Sequence, residues 1–112
     1  MTLLQLQYFY TVCQTNCNIS QAAEKLHISQ PGVSNAIRDL ENEFDVQLFH
    51  RDSKHLVLTE EGTLFCQSCE MILNSADTLK ARMARFKENA NLVRVGIAAV
   101  IAIMTLGSSL TG

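Results

Sequence analysis

The sequence predicts a mainly α fold: three short helices with a small two-stranded hairpin, followed by one long helix. Three observations predict it. Ser20 to Leu40, SQAAEKLHISQPGVSNAIRDL, reads as a short helix, a tight turn and a second helix opening on Ser-Gln-Pro. Two short β-prone runs, Val46 to Phe49 and Leu56 to Leu58, flank a polar stretch. From Phe65 onward, apolar residues recur every seven positions. The chain has 112 residues, 47% hydrophobic and 18% charged, which is room for one small domain and an appendage of ordinary globular composition.

The first helix is expected from Leu3 to Cys17. Leu6, Phe9, Val12 and Cys13 fall at helical spacing and form one packing face. Asn16 to Asn18 is a polar break. Ser20 is expected to cap a second short helix carrying Ala22, Ala23 and Leu26, whose small alanines let helices cross closely. His27-Ile28 forms the turn, with Ile28 plugging the core. Ser29 caps the third helix, and Pro31 falls in its first turn, where a missing N–H costs little. Val33, Ile37 and Leu40 make its buried face and leave Gln30, Ser34, Asn35 and Arg38 outside.

That spacing is a helix-turn-helix, which lays one helix across a DNA backbone and inserts the next into the major groove. The hairpin, with Arg51-Asp52-Ser53-Lys54-His55 as its tip, is marginal alone and must pack on the helices. There it is a wing, completing a winged helix-turn-helix. Thr59 caps the long helix, with Glu60 and Glu61 in its first turn favoured by the helix dipole. Phe65, Ile72, Leu79 and Phe86, interleaved with Cys69, Ala76 and Met83, form a heptad seam expected to pair with a second copy of the chain.

Asn89-Ala90-Asn91 reads as a linker, and Val93 to Val100 as a buried strand. Val95 to Leu106 is almost continuously apolar but spans about a dozen residues, short of the roughly twenty of a membrane span, so a core segment is expected and no membrane. The domain reading is therefore residues 1–58 as the reading domain and 59–89 as the dimerisation helix. Residues 90–112 are the truncated start of an α/β domain.

The formal net charge is −2. The first 58 residues carry Lys25, Arg38, Arg51 and Lys54 against Glu24, Asp39, Glu41, Glu43, Asp45 and Asp52. Attraction to phosphate must come from local placement. Non-specific binding and its salt dependence are expected to be weaker than for a basic domain. The opening Met1-Thr2-Leu3-Leu4-Gln5 has neither a basic start nor a sustained apolar core, so no secretory signal is read and a cytoplasmic location is expected. The cysteines form two close pairs, Cys13 with Cys17 and Cys66 with Cys69. Both lie in helical pattern, where thiols serve as small apolar groups. A metal site and a redox switch are the sharper alternatives, although zinc ribbons place such pairs on turns. No nucleophile–base pairing, phosphate loop or metal cluster is read. An enzyme, a cofactor and a metal are not expected.

From about Leu4 to Phe86 the chain resembles the N-terminal part of LysR-type transcriptional regulators. The matching residues are Leu6-Gln7-Tyr8-Phe9, Ala22-Ala23, Leu26, Ser29-Gln30-Pro31-Gly32-Val33-Ser34, Ile37, Leu40-Glu41, Val46-Gln47-Leu48-Phe49, Arg51 and Leu58-Thr59-Glu60-Glu61-Gly62. Asn16 to Ser20 and Lys54-His55-Leu56 are similar to the branch that regulates sulfur assimilation. The resemblance implies sequence-specific regulation of transcription in a bacterium, on an inverted-repeat operator bound by a dimer. It implies a periplasmic-binding-protein-like effector domain after the long helix, with Val93 to Val100 as its first strand and a small-molecule effector only where that domain is present.

Carried over from the family, Gln30, Pro31, Ser34 and Asn35 sit where base edges are read. Gln and Asn can bond adenine N6 and N7, and Pro can touch a thymine methyl. Ser29, Arg38 and Ser20 are placed for phosphates, and Arg51, Lys54 and His55 for the wing contact. Three positions depart from the family pattern: Asn35 where a basic residue is common, and Asp45 and Ser53 where glycine is usual. A second reading, favoured by the negative charge balance, is an interaction module forming mixed dimers with full-length relatives without productive DNA binding.

Overall fold

The computed structural model describes the backbone of residues 1–111 and the side chains of residues 1–107. Gly112, the end of the expected third segment, lies outside the described residues. The order of elements is α1 (Leu3–Gln14), α2 (Ile19–Leu26), α3 (Gln30–Phe44), β1 (Phe49–Asp52), β2 (His55–Leu58) and α4 (Glu60–Thr111). The mainly α, winged helix-turn-helix architecture is the one the sequence predicts. The chain divides into two units, residues 1–75 and 76–112.

In the first unit, local chemistry sets each boundary. Thr2 and Gln5 form a capping box at the start of α1, each side chain bonding the other's backbone N–H. The helix stops at Gln14, short of the expected Cys17, because Asn16 and Cys17 take positive φ (56° and 62°). Asn18, not Ser20, caps α2: its Oδ1 accepts from the Gln21 N–H at 3.0 Å. An Asn side chain reaches that donor as well as a Ser does, and it comes first in the chain. His27 ends α2 in the left-handed conformation. Ser29 Oγ accepts from the Gly32 N–H at 3.2 Å and starts α3, as expected. Asp45, where glycine was the alternative, closes α3 at φ 52°.

Leu6, Phe9 and Val12 of α1, Ala22 and Ala23 of α2, and Val33, Ile37 and Leu40 of α3 are buried together with Leu48, Phe49 and Cys69. The Phe9 ring stands 5.4 Å from Phe49 and 5.2 Å from Phe65, the latter edge-on. The wing is shifted relative to its sequence reading. β1 begins at Phe49, and Arg51 pairs with Leu56 inside the ladder. Only Ser53 and Lys54 remain as the turn, Ser53 at φ 56°. Val46 to Leu48 lies outside the strand because its N–H groups are held by α3: Val46 N–H donates to the Glu41 carbonyl at 3.1 Å and Leu48 N–H to the Glu41 carboxylate at 2.8 Å, leaving only Leu48 C=O, which accepts from Thr59 N–H at 3.0 Å, in line with the ladder.

Thr59 caps α4, its Oγ1 accepting from Gly62 N–H at 2.9 Å. Gly62 is buried, and a Cβ there would run into the Leu48 carbonyl, so only glycine lets α4 start this close. Phe65 packs on Phe9 and Phe44, and Cys69 is 1% exposed. These two seam residues, expected to face a second chain, are instead taken up by their own unit's core.

The second unit is helical throughout its described length. Asn89-Ala90-Asn91 is not a linker, and Val93 to Val100 is not a strand. A short apolar run is compatible with either conformation. Here no Pro interrupts the helix, and the heptad spacing continues through Ala90, Val93, Ile97, Val100 and Met104. Val95 to Leu106 is not a core segment either: its large side chains are exposed, Val95 at 67% and Leu106 at 65%. By length and composition, α4 is able to cross a membrane, its most apolar stretch of 18 residues having mean hydropathy 1.8.

Candidate nucleic-acid interface

The interface is built on α3, the start of α2 and the wing. The buried stripe of α3, Val33, Ala36, Ile37 and Leu40, anchors that helix on the core. The opposite face is thereby turned outward. Gln30, Pro31, Asn35 and Arg38 are exposed, and Ser34 is half-buried at the edge of the stripe. Ser29 is exposed too, but its hydroxyl is already engaged as the cap. What it can offer beyond the cap is the partial positive charge of the helix end.

Two open clefts flank this face. One, about 480 Å³, lies between α3 and the wing and is lined by Ser34, Arg38, Glu41, Gln47, His50 and Arg51 among others. The second, about 400 Å³, lies between the start of α2 and the wing. Asn16, Asn18, Ser20, Arg51, Lys54 and His55 line it. Thus Arg51 borders both clefts, and four of the six residues proposed for backbone contact, Ser20, Arg51, Lys54 and His55, surround one hollow. Among the described residues, Arg38, Arg51 and Lys54 take part in no ion pair, so their charge is available to an external anion. Of the six anions in the first 58 residues, Glu41 is engaged by the Leu48 N–H and Glu43 by the Met1 ammonium at 2.8 Å. The arrangement can hold a polyanion along the wing and present amide and hydroxyl groups from the start of α3 to a groove.

All ten residues proposed from sequence fall on α3, its cap, the start of α2 or the wing. Polar cleft residues outside the sequence-proposed set are Asn16, Asn18, Glu41, Gln47 and His50. Asn18 carried a readable signal, since Asn three positions before Gln21 is as good a cap as Ser. Gln47 and His50 carried none, because their position depends on the shifted strand. Of the seam residues, Ala76 is half-buried, whereas Ile72 (39%), Leu79, Met83 and Phe86 (73%) are exposed.

Residues 3–63 match the family model described as bacterial regulatory helix-turn-helix protein, lysR family. The chain is 41% identical over 96 residues to the Hca operon transcriptional activator HcaR of Escherichia coli K12, covering 86% of this chain and 32% of that protein. It is 41% identical over 81 residues to the transcriptional regulator CysB of Burkholderia cenocepacia, covering 71% of this chain and 26% of that protein. The chain thus spans about a third or less of these relatives' length. Among solved structures, the BenM DNA-binding domain in complex with catB site 1 DNA superposes with a TM-score of 0.72 at 35% identity. That match covers 77% of this chain and 96% of the other.

Proposed function

The chain belongs to the LysR family of bacterial helix-turn-helix regulators, and on that premise we propose that it recognises an inverted-repeat operator as a homodimer and regulates transcription in the cytoplasm. The observation that carries this reading is the outward face at the start of α3, where Gln30, Pro31 and Asn35 are exposed on a helix held by its buried opposite side. Gln30 and Asn35 supply amides that pair with adenine, Pro31 supplies an apolar contact, and Ser34 reaches from the cleft edge. Arg38, Arg51, Lys54, His55, Ser20 and the helix start at Ser29 hold phosphates and fix the register. The BenM complex supports this, being a domain that this chain matches over 96% of its length, solved on DNA.

Ile72, Ala76, Leu79, Met83 and Phe86 supply the pairing seam. Phe65 and Cys69 are withdrawn from it. Pairing sets the distance between two reading heads, which is why a two-fold site follows. The domain division remains, on this reading, 1–58 as a reading head, 59–89 as a pairing helix and 90–112 as the truncated start of an effector domain, helical where it is described. A small-molecule effector belongs to the proposal only for a protein carrying an effector domain.

Two measurements test it. Gln30→Ala, assayed by gel shift against operator variants, is expected to lose about 1–3 kcal/mol of discrimination at one base pair, with non-specific affinity retained. An unchanged base preference would remove Gln30 from the readout. Leu79→Asp is expected to give monomers by sedimentation and to weaken binding to the full inverted repeat. A dimer surviving at low concentration would show that another surface pairs the chains. The interaction-module reading predicts mixed dimers with a full-length relative and no shift of an inverted-repeat probe by the homodimer.

A further inference from the structure

Glu41 lines the cleft between α3 and the wing together with Arg38 and Arg51, the two cations that the proposed function places on phosphates. An acid in that position weakens the attraction of its neighbours for a polyanion. Among the described residues it forms an ion pair with neither. Its oxygens go to backbone instead. The carboxylate Oε2 accepts from the Leu48 N–H at 2.8 Å. The main-chain carbonyl accepts from the Val46 N–H at 3.1 Å and from the Asp45 N–H that closes α3. Glu41 is half-buried and Leu48 fully buried. Leaving such an N–H without an acceptor is costly, and a carboxylate is the strongest acceptor a side chain offers.

The wing has few directional ties to the helices. Among the described residues, β1 and β2 pair with each other and with no third strand. Phe49, Leu56 and Leu58 pack on the core. Apolar contact is non-directional, so it holds the hairpin close without fixing its orientation. Thr59 takes the segment before β1 from the α4 side, donating its hydroxyl to the Gln47 carbonyl and its N–H to the Leu48 carbonyl. From α3, the helix that carries the outward face, the hydrogen bonds to that segment among the described residues are those of Glu41. Arg51 follows Leu48 by three residues along β1.

We propose that Glu41 is a positioning residue: its carboxylate ties the wing to α3 through the Leu48 N–H and so sets where Arg51 stands relative to Gln30, Ser34 and Asn35. The inference deepens the operator-binding reading and rests on it for its effect on DNA. Base edges read from α3 and a phosphate held from the wing belong to one duplex, so both contacts form together only when the two elements keep a fixed relation. A hydrogen bond, being short and directional, supplies that relation. The negative charge opposes phosphate binding and is not needed for the tie, since a neutral acceptor of the same reach serves it.

The test compares Glu41→Gln, whose amide oxygen still accepts from the Leu48 N–H, with Glu41→Ala, which has no acceptor. Both remove the charge, so a purely electrostatic role makes both bind DNA more tightly. Positioning predicts opposite signs on an inverted-repeat duplex selected with the wild-type chain. Glu41→Gln binds as tightly as wild type or tighter, and Glu41→Ala binds about tenfold more weakly. Arg51→Ala weakens binding in the wild-type and Glu41→Gln backgrounds but adds little to Glu41→Ala, where Arg51 is already displaced. Arg38→Ala, on α3 itself, has the same effect in all three. A second arm uses no DNA: by nuclear magnetic resonance, the Leu48 amide exchanges slowly in wild type and Glu41→Gln, and the amide signals of residues 49–58 shift in Glu41→Ala alone. A wild-type chain that selects no duplex would overturn the operator reading, and the resonance arm then decides the tie. Equal binding by the two Glu41 variants, additive effects of Arg51→Ala and Glu41→Ala, or rapid exchange of the Leu48 amide in the folded wild-type chain would each overturn the proposal. The last needs no variant and decides the matter where Glu41→Ala does not fold.

Discussion

α4 is one helix with one heptad pattern and two opposite environments. Its opening turns bury Gly62 and Cys69 and set Phe65 against Phe9 and Phe44. From Ala81 to Gly107 every described side chain is exposed, Phe86 at 73%. The same periodicity is thus consumed by the chain's own core at one end and left open at the other. A heptad repeat states that one face wants cover. It does not state whether the cover comes from the same chain.

The sharpest way to break this comparison is at its aromatic residues. Phe9→Ala empties a fully buried site and removes both ring contacts, so a loss of about 3–5 kcal/mol in urea unfolding of the first unit is expected. Phe86→Ala, on the exposed stretch, is expected to change that unit by less than about 0.5 kcal/mol. Equal losses would mean that Phe86 is also packed against the first unit.

The glycines give a comparison of opposite sign. Gly62→Ala drives a methyl into the Leu48 carbonyl and is expected to cost about 1–3 kcal/mol. Gly96→Ala meets nothing within 4 Å and is expected to stabilise the helix by about 0.8–1 kcal/mol, read as helicity on heating.

A further contrast distinguishes the units by pH. Burial raises the Cys13 and Cys69 thiols above their ordinary 9.0, Cys69 to about 12. A raised thiol favours the folded state fully below the unfolded value. That stability is then lost as pH climbs from about 9 towards the folded value. Alkaline titration by circular dichroism should therefore weaken the first unit between about pH 9 and 12, and Cys69→Ala should flatten the decline. No ionisable side chain follows Arg94, so the end of α4 should show no matching transition.

Much of the reading head was legible because its signals are local. Ser29 before Gln-Pro is a cap wherever it occurs, and Val33, Ile37 and Leu40 define a buried stripe from spacing alone. That stripe fixes which residues of α3 face outward. The wing was legible in kind and wrong in its strand bounds. Whether β1 starts at Val46 or Phe49 depends on Glu41, which takes the N–H groups of Val46 and Leu48 from five and seven residues away. Gln47 and His50 were missed for the same reason. Asn18 could have been found, since its capping geometry is as local as that of Ser29.

By itself, then, the sequence determined the helix starts, the outward face of α3, the left-handed demands at Asp45 and Ser53, and the heptad spacing. Each follows from backbone sterics or side-chain reach within one or two turns. Tertiary structure alone decided that Phe65 and Cys69 turn inward, that the four cysteines pack on one core, and that Val93 to Val100 has no strand partner among the described residues. Those outcomes depend on which distant surface competes for an apolar group or a backbone hydrogen bond. A strand needs a neighbouring strand to satisfy its N–H and C=O groups, whereas a helix satisfies them within itself.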